Sequence, residues 1–173
     1  MFTERAPAWQ HQQMDAFGTR AATPVDADAV ADYHHRCFTK TYSSQLSAGE
    51  FAAPDEAGTR RQLHDWFLPE SDCETRVAVE DDVPIGHVTV SGHRLVHLFV
   101  EPGHQRMGLG RYLLDLGEAM ILADGHTNLE VHARIENGDA IAFYDRAGWT
   151  VTDRLVHTVE HGLRDDECVP CSY

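Results

Sequence analysis

The stretch RLVHLFVEPGHQRMGLGRY, residues 94–112, constrains the fold more than any other part of the chain. Its first seven residues, RLVHLFV, are rich enough in apolar side chains for a strand buried at the centre of a sheet. Pro102 marks where that strand stops. Gly108 and Gly110 then stand two residues apart at the mouth of a helix over 109–123. In that helix Leu109, Leu113, Leu116 and Met120 recur at the spacing of one helical face. A glycine inside a helix costs roughly 1 kcal/mol relative to alanine, so these two answer some need for bare backbone. A central strand running directly into an amphipathic helix requires a sheet with that helix packed on it.

The flanking sequence supplies the rest of the sheet. TRAAT, residues 19–23, reads as a short strand, and TPVDADAVADYHHRCF as a helix started by Pro24 and Asp26. Gly49 and Pro54 punctuate a loop, and residues 55–68 form a second helix with acidic residues at its start. From Arg76 the hydrophobic period changes. RVAVED, the turn DDVP and IGHVTVSG make a hairpin. Beyond the glycine turn come a strand over 127–133, a short helix over 137–148 closed by Gly148, and two last strands, WTVTDR and LVHTVEHG. This order predicts a mixed α/β fold, a central sheet of six or seven strands flanked by about four helices. With 173 residues, no internal repeat and no long linker, the chain forms one folded domain over 19–163. Residues 1–18 are an arm carrying Phe2, Trp9, Met14 and Phe17, and 164–173 a frayed tail. The apolar arm and the final strands are compatible with a homodimer.

Composition excludes some partners. Acidic residues outnumber basic ones 28 to 14, for a formal net charge of -14, which argues against nucleic acid and anionic membrane. It suits a cationic substrate, though such charge mostly serves solubility. No apolar run is long enough to span a bilayer and the start of the chain lacks the apolar stretch of a signal peptide, so a cytoplasmic location is expected. Of the four cysteines, Cys37 and Cys73 are isolated. Cys168 and Cys171 form a C-x-x-C with His157 and His161 upstream, a weak metal signal at a terminus. No metal is expected.

The glycine turn fits a phosphate seat. The first N–H groups of a helix point outward with partial positive charge. Gly108 and Gly110 remove two Cβ atoms there, and Arg106 and Arg111 add positive charge. A pyrophosphate can be held on such amides. No Gly-Lys-Ser/Thr follows, so this is not a P-loop, and two glycines do not make the dinucleotide fingerprint. Taken alone, the turn serves equally to let strand and helix pack closely.

The segment Gln105-Arg106-Met107-Gly108-Leu109-Gly110 resembles the Q/R-x-x-G-x-G/A acyl-CoA motif of the GNAT superfamily of N-acyltransferases. LFVEP resembles that family's central strand and its lead-in to the phosphate loop, and ENGDAIAFYDRAGW resembles its second signature. The order of elements over 19–161 matches as well. The resemblance implies a GNAT-like acyl-CoA N-acyltransferase fold whose central strand and the next splay apart to admit acetyl-CoA. It implies that the main chain of Leu98 and Val100 binds the pantetheine arm. Gln105, Arg106, Met107, Gly108, Leu109, Gly110 and Arg111 would form the pyrophosphate turn. Asn137 would contact the pantetheine or acyl end, and Tyr144 would sit near the sulfur.

Acyl transfer to an amine needs a neutral amine, a stabilised carbonyl oxygen, held reactants and a proton for the leaving thiolate. The N–H of Val100 suits the oxygen and Tyr144 the thiolate, although Ile141 and Tyr144 also have ordinary core spacing. For the base, Glu130 in LEVHA is the first candidate, with His132, His97 and a water relay as rivals. Glu101 lies too near the phosphate turn. If Val131 or Ala133 points inward, Glu130 and His132 share the opposite face. Tyr33, Phe38, Tyr42, Phe51, Trp66 and Phe67 line a partly acidic acceptor wall with Glu50 and Asp55, or else fill the core. The sequence thus reads as a cytoplasmic acetyl-CoA-dependent N-acetyltransferase acting on a small-molecule or peptide primary amine in a ternary complex. The alternatives are an acyl-CoA-binding sensor or interaction module of the same fold, and a metal-binding domain using Cys168, Cys171, His157 and His161.

Overall fold

The switch from helical to alternating hydrophobic period at Arg76 marks where the middle of the sheet begins. The computed structural model describes residues 17–42, 55–135, 137–152 and 168–172. In chain order these form β1 (Gly18–Ala21), α1 (Ala27–Tyr42), α2 (Glu56–Trp66), β2 (Glu74–Glu80), β3 (Val83–Ser91), β4 (Arg94–Val100), α3 (Leu109–Ala123), β5 (Glu130–Arg134), α4 (Gly138–Arg146), β6 (Thr150–Val151) and β7 (Cys168–Ser172). Single 3-10 turns, Pro24–Asp26 and Pro102–His104, lead toward α1 and α3. The seven strands make one sheet in the order β1-β2-β3-β4-β5-β7-β6. Only β4 and β5 run parallel.

Local chemistry explains the element ends. Asp81 and Asp82 both take positive φ, 50° and 68°, which matches the twist a two-residue hairpin turn needs between β2 and β3. Asp26 accepts from the Thr23 amide at 2.8 Å and pairs through both oxygens with the Arg20 guanidinium, at 2.7 and 2.8 Å. Together these fix the chain's passage from β1 into α1.

Two cores lie on opposite faces of the sheet. One, under α1 and α2, gathers Val30, Tyr33, Leu63, Phe67 and Val77. The other, under α3 and α4, gathers Val88, Leu95, Leu109, Leu113, Ile121 and their neighbours. Each fully buried aliphatic side chain contributes about 1.5–3 kcal/mol over leaving it exposed. The buried face of α3 is turned slightly from the one the leucine spacing suggests. Leu109, Leu113, Leu114, Gly117 and Ile121 are buried, while Leu116 and Met120 pack at the border. Gly117 explains the rotation: a Cβ there would stand 2.7 Å from Val88 Cγ2, so the helix axis lies closer to the sheet than a side chain would allow.

The end of the sheet differs from expectation. Cys168–Ser172, expected as a frayed tail, is strand β7 and pairs with β5 along its whole length, from Glu130↔Ser172 to Arg134↔Cys168. Among the described residues of WTVTDR, Thr150–Val151 is strand, and Asp153 and Arg154 lie outside the description. LVHTVEHG, the N-terminal arm up to residue 16 and the 43–54 loop lie outside the described residues.

Candidate active site

A fork opens in the sheet beside β4. β4 and β5 pair at Arg94↔Glu130 and Leu95↔Val131 and nowhere beyond. β4 stays with β3 up to Val100, and β5 stays with β7 up to Arg134, so the seam between them parts. The peptide groups facing the fork follow from register. Glu101 N–H donates to Ile85 O at 2.9 Å, toward β3. Hydrogen-bonding direction alternates along an antiparallel strand, so the N–H and C=O groups of Leu98 and Val100 face the fork.

The glycine turn closes the end of β4. Gly108 is the N-cap of α3 with φ 89°, a left-handed conformation that only glycine adopts without strain, and Arg106 shares it at φ 67°. The first intrahelical bond runs from Tyr112 N–H to Gly108 O, at 3.1 Å. The amides of Leu109, Gly110 and Arg111 therefore precede it and point off the helix end. At Gly110 a Cβ would meet Val100 Cγ2 and Phe143 Cε2 at 3.8 Å, ordinary contact distances. The packing among the described residues does not demand glycine there. Leu109 turns its side chain into the core, and Met107 is half exposed. The Arg111 side chain is held by Asp115 at 2.8 Å and reaches Ala147 O at 3.4 Å, so its amide rather than its guanidinium faces the seat.

Gln105 has a different task from the one its motif suggests. Its Nε2 donates to Val100 O at 3.0 Å, and its Oε1 accepts from Lys40 Nζ at 3.3 Å. Cys37 Sγ, from α1, donates to the same carbonyl at 3.1 Å. Burial, with Glu101 nearby, pushes the Cys37 thiol up to about 11 and keeps it a donor. Both lone pairs of Val100 O are thus taken, which leaves Val100 N–H as the polar group that residue offers to the fork. Cys37 and Lys40 were missed in the sequence. The only signal was the spacing of Val30, Tyr33 and Cys37 along one face of α1.

Asn137 and Tyr144 come from α4. Asn137 Oδ1 accepts from Ala140 N–H at 3.1 Å as a helix cap, and its Nδ2 donates to Tyr42 Oη at 3.2 Å. The Arg134 guanidinium lies 5.3 Å from the Tyr42 ring centre. Asn137 therefore joins α4, the end of β5 and α1 at the open side of the fork. Tyr144 is buried, with its ring 5.2 Å from Phe143 and 5.9 Å from Trp149. Trp149 Nε1 donates to Glu118 on α3 at 2.8 Å, which fixes α4 against α3.

The candidate bases are spread apart. Val131 and Ala133 point inward, so Glu130 and His132 share the other face. Glu130 stands level with Arg94, at the paired end of the seam, about 13 Å along the strand from Arg134 at ~3.3 Å per residue. It is bound by His132, by Arg94 at 3.0 Å and by His93 at 3.7 Å. Burial pushes its carboxyl up, but these partners outweigh it and hold it below the usual carboxylate range. The structure therefore does not bring Glu130 into the fork, and His132 is occupied by it. Glu101 accepts from Gly103 N–H at 2.6 Å and lies near Arg36 and His104, bracing the lead-in to the glycine turn. His97 does lie on the separated stretch of β4, turned toward α1 and α2, with its ring 5.3 Å from His34 and 4.7 Å from Trp66.

Among the described residues no group of three or more His, Cys, Asp or Glu side chains is arranged to hold a metal ion, and no helix is long and apolar enough to cross a membrane. His157 and His161 lie outside the described residues.

A model of the Acetyltransferase (GNAT) family matches residues 28–149. The chain is 32% identical over 88 residues to the peptidyl-lysine N-acetyltransferase YjaB of Salmonella typhimurium, a match covering 51% of this chain and 57% of that protein. It is 35% identical over 104 residues to the mycothiol acetyltransferase of Propionibacterium freudenreichii, covering 60% of this chain and 28% of that one. The matches thus span little more than half the length of the first relative and little more than a quarter of the second. In fold the chain is similar to the PaiA N-acetyltransferase of Thermoplasma acidophilum in complex with coenzyme A. The TM-score is 0.73 at 16% identity, covering 90% of this chain and 97% of that one.

Proposed function

The chain belongs to the GNAT family of acetyltransferases, and from that premise we propose that it transfers an acetyl group from acetyl-CoA to a primary alkyl amine within a ternary complex. One observation carries this reading: a left-handed glycine cap presents unbonded helix amides at the end of a strand whose neighbour has parted from it. A diphosphate fits those amides, and an extended pantetheine arm fits the N–H groups that Leu98 and Val100 turn to the fork. Acetyl-CoA supplies an activated acyl carbonyl. The chain supplies the rest.

Arg106, Met107, Gly108, Leu109, Gly110 and Arg111 hold the pyrophosphate by their amides. Gln105 holds the turn against Val100. The N–H of Val100 donates to the carbonyl oxygen as it gains charge. Asn137 sets α4 and Tyr42 at the acyl end. Tyr144 donates a proton to the departing sulfur. An alkyl ammonium has a pKa of ~10.4, so its proton must be removed before attack. A lysine side chain, as the YjaB relative's name suggests, and a small cationic amine both meet this description.

Calorimetry with acetyl-CoA, followed by thiol release with putrescine, free amino acids and lysine peptides, tests the proposal. Turnover that falls in Tyr144→Phe while acetyl-CoA still binds supports it. Binding without turnover across the panel overturns catalysis in favour of a sensor module. Unchanged binding in Gly108→Val overturns the seat itself.

A further inference from the structure

We propose that His34, His87 and His97, with Tyr33, form an internal water-holding relay that carries away the proton shed by the acceptor amine; the proposal rests on the function above.

Four elements meet in a small cluster between α1 and the sheet. The rings of His34 and His97 stack at 5.3 Å and 13°, and those of His87 and His97 meet edge to face at 5.7 Å and 61°. Trp66 and Phe99 box the cluster, 4.7 Å from His97 and 4.3 Å from His34. At its deep end Tyr33 Oη lies 2.6 Å from His87 Nδ1, and both residues are buried. With Tyr33 donating, His87 carries its own proton on Nε2.

A histidine serving only as core filler has its ring nitrogens satisfied. Here His34 Nδ1, His87 Nε2 and His97 Nδ1 are buried with no hydrogen-bond partner among the described residues. Three such nitrogens in one cluster are costly to leave bare. Ordered water bridging polar atoms in twos to fours is the usual remedy. Among the described residues no group of three or more His, Cys, Asp or Glu is arranged to hold a metal ion.

The position suits the missing step. His97 sits on the stretch of β4 that has left β5. The rival carboxylates are engaged, Glu130 by Arg94, His93 and His132, and Glu101 by Gly103, His104 and Arg36. The titratable groups around the cluster are Tyr33, His34, His35 and Cys37 from α1, His87 from β3 and His97 from β4; α2 contributes the uncharged Trp66. Asp26, the carboxylate that bears on Tyr33, is locked to Arg20. Among the described residues no carboxylate therefore pins a proton on the relay. A neutral imidazole accepts at one nitrogen and releases from the other, so it passes a proton without storing it. In the step, one N–H bond of the ammonium breaks and its proton goes to the His97–water chain and on to solvent. The freed lone pair forms the C–N bond, the C–S bond breaks, and the sulfur takes a proton from Tyr144. That residue regains one from the new amide nitrogen.

The experiment uses the full chain with acetyl-CoA and a lysine peptide, with putrescine as a second acceptor. His97→Ala should lower kcat about 10²-fold and leave the KM for acetyl-CoA unchanged. It should steepen the rise of rate with pH and regain activity with added imidazole. His34→Gln should show the same profile more weakly. In the unaltered protein, ring nitrogen NMR should show neutral imidazoles in contact with water. Unchanged kcat in His97→Ala, loss of acetyl-CoA affinity in parallel with kcat, or a dry cluster each overturns the relay alone. No turnover by the unaltered protein, despite acetyl-CoA binding, overturns the functional reading and the relay with it.

Discussion

Acidification from pH 6.5 to 5 should cost this fold about 3 kcal/mol through two histidines. Burial lowers His34 from its ordinary 6.5 to about 4 and His97 to about 3, with neighbouring histidines adding to both shifts. The unfolded chain therefore binds protons at these rings that the folded chain refuses. The stability they contribute is complete above pH 6.5 and is lost as pH falls toward the folded values. Well inside that window each pH unit removes about 1.4 kcal/mol per ring; at pH 6.5 itself the unfolded ring is only half protonated, so the 1.5 units remove about 1.5 kcal/mol for each. His87 acts in the same direction, pushed down by burial. His104 acts in the opposite one. Burial pushes it down, but bonds to Glu101 and Glu80 outweigh this and raise it, so it gains stability as pH falls. It is more exposed to solvent screening than the core rings. The carboxylates held low, Asp26, Glu101 and Glu130, lose their contribution only below the ordinary carboxylate range. Urea unfolding at pH 7, 6 and 5 measures the slope, and His34→Gln and His97→Gln should each flatten it by one ring's share. Stability that is flat or rises from pH 6.5 to 5 would refute the reasoning.

Gly117→Ala should destabilise the protein. The new Cβ meets Val88 Cγ2 at 2.7 Å, and overpacking of about 1–3 kcal/mol exceeds the ~1 kcal/mol gain in helix propensity; an unchanged or higher urea midpoint would contradict this. Glu130→Gln should keep kcat within a few-fold, because its carboxylate lies at the paired end of the seam; a 10²-fold fall in a thiol-release assay would restore it as the base. Asn137→Ala should lose about 1 kcal/mol of capping and lower kcat by loosening Tyr42, which thermal unfolding and kinetics read separately. Gln105→Ala should weaken acetyl-CoA binding by calorimetry through a less rigid Val100, and unaltered affinity would argue against that tie.

The elements from Gly18 to Arg146 were legible because each carries its own period and punctuation, such as Asp81-Asp82 at the hairpin or Asn137 before α4. The glycine turn was legible because bare backbone at a helix mouth has few uses. What stayed hidden depends on partners distant in sequence. The burial of Gly117 is set by Val88 and Leu95, not by anything beside it in the helix. Glu130 looked like a base because its string matched. Its register against Arg94, which places it at the wrong end, exists only once the two strands meet. Tyr33, His34, His87 and His97 come from three separate elements, and no local pattern announces that their rings converge. Cys168–Ser172 read as tail because a short strand with a proline is recognisable only when β5 lies beside it.

The carbonyl of Val100 answers to two walls at once. One donor arrives from α1, on the acceptor's side, and the other from the glycine turn, on the coenzyme's side. Whatever draws either donor tighter also changes how firmly the other is seated. If the two walls hold amine and coenzyme as proposed, the two affinities are joined through one oxygen, and thermodynamic reciprocity makes each raise or lower the other by the same factor. Coupling of this kind would need no moving domain in this chain; two donors on one oxygen are enough to carry it.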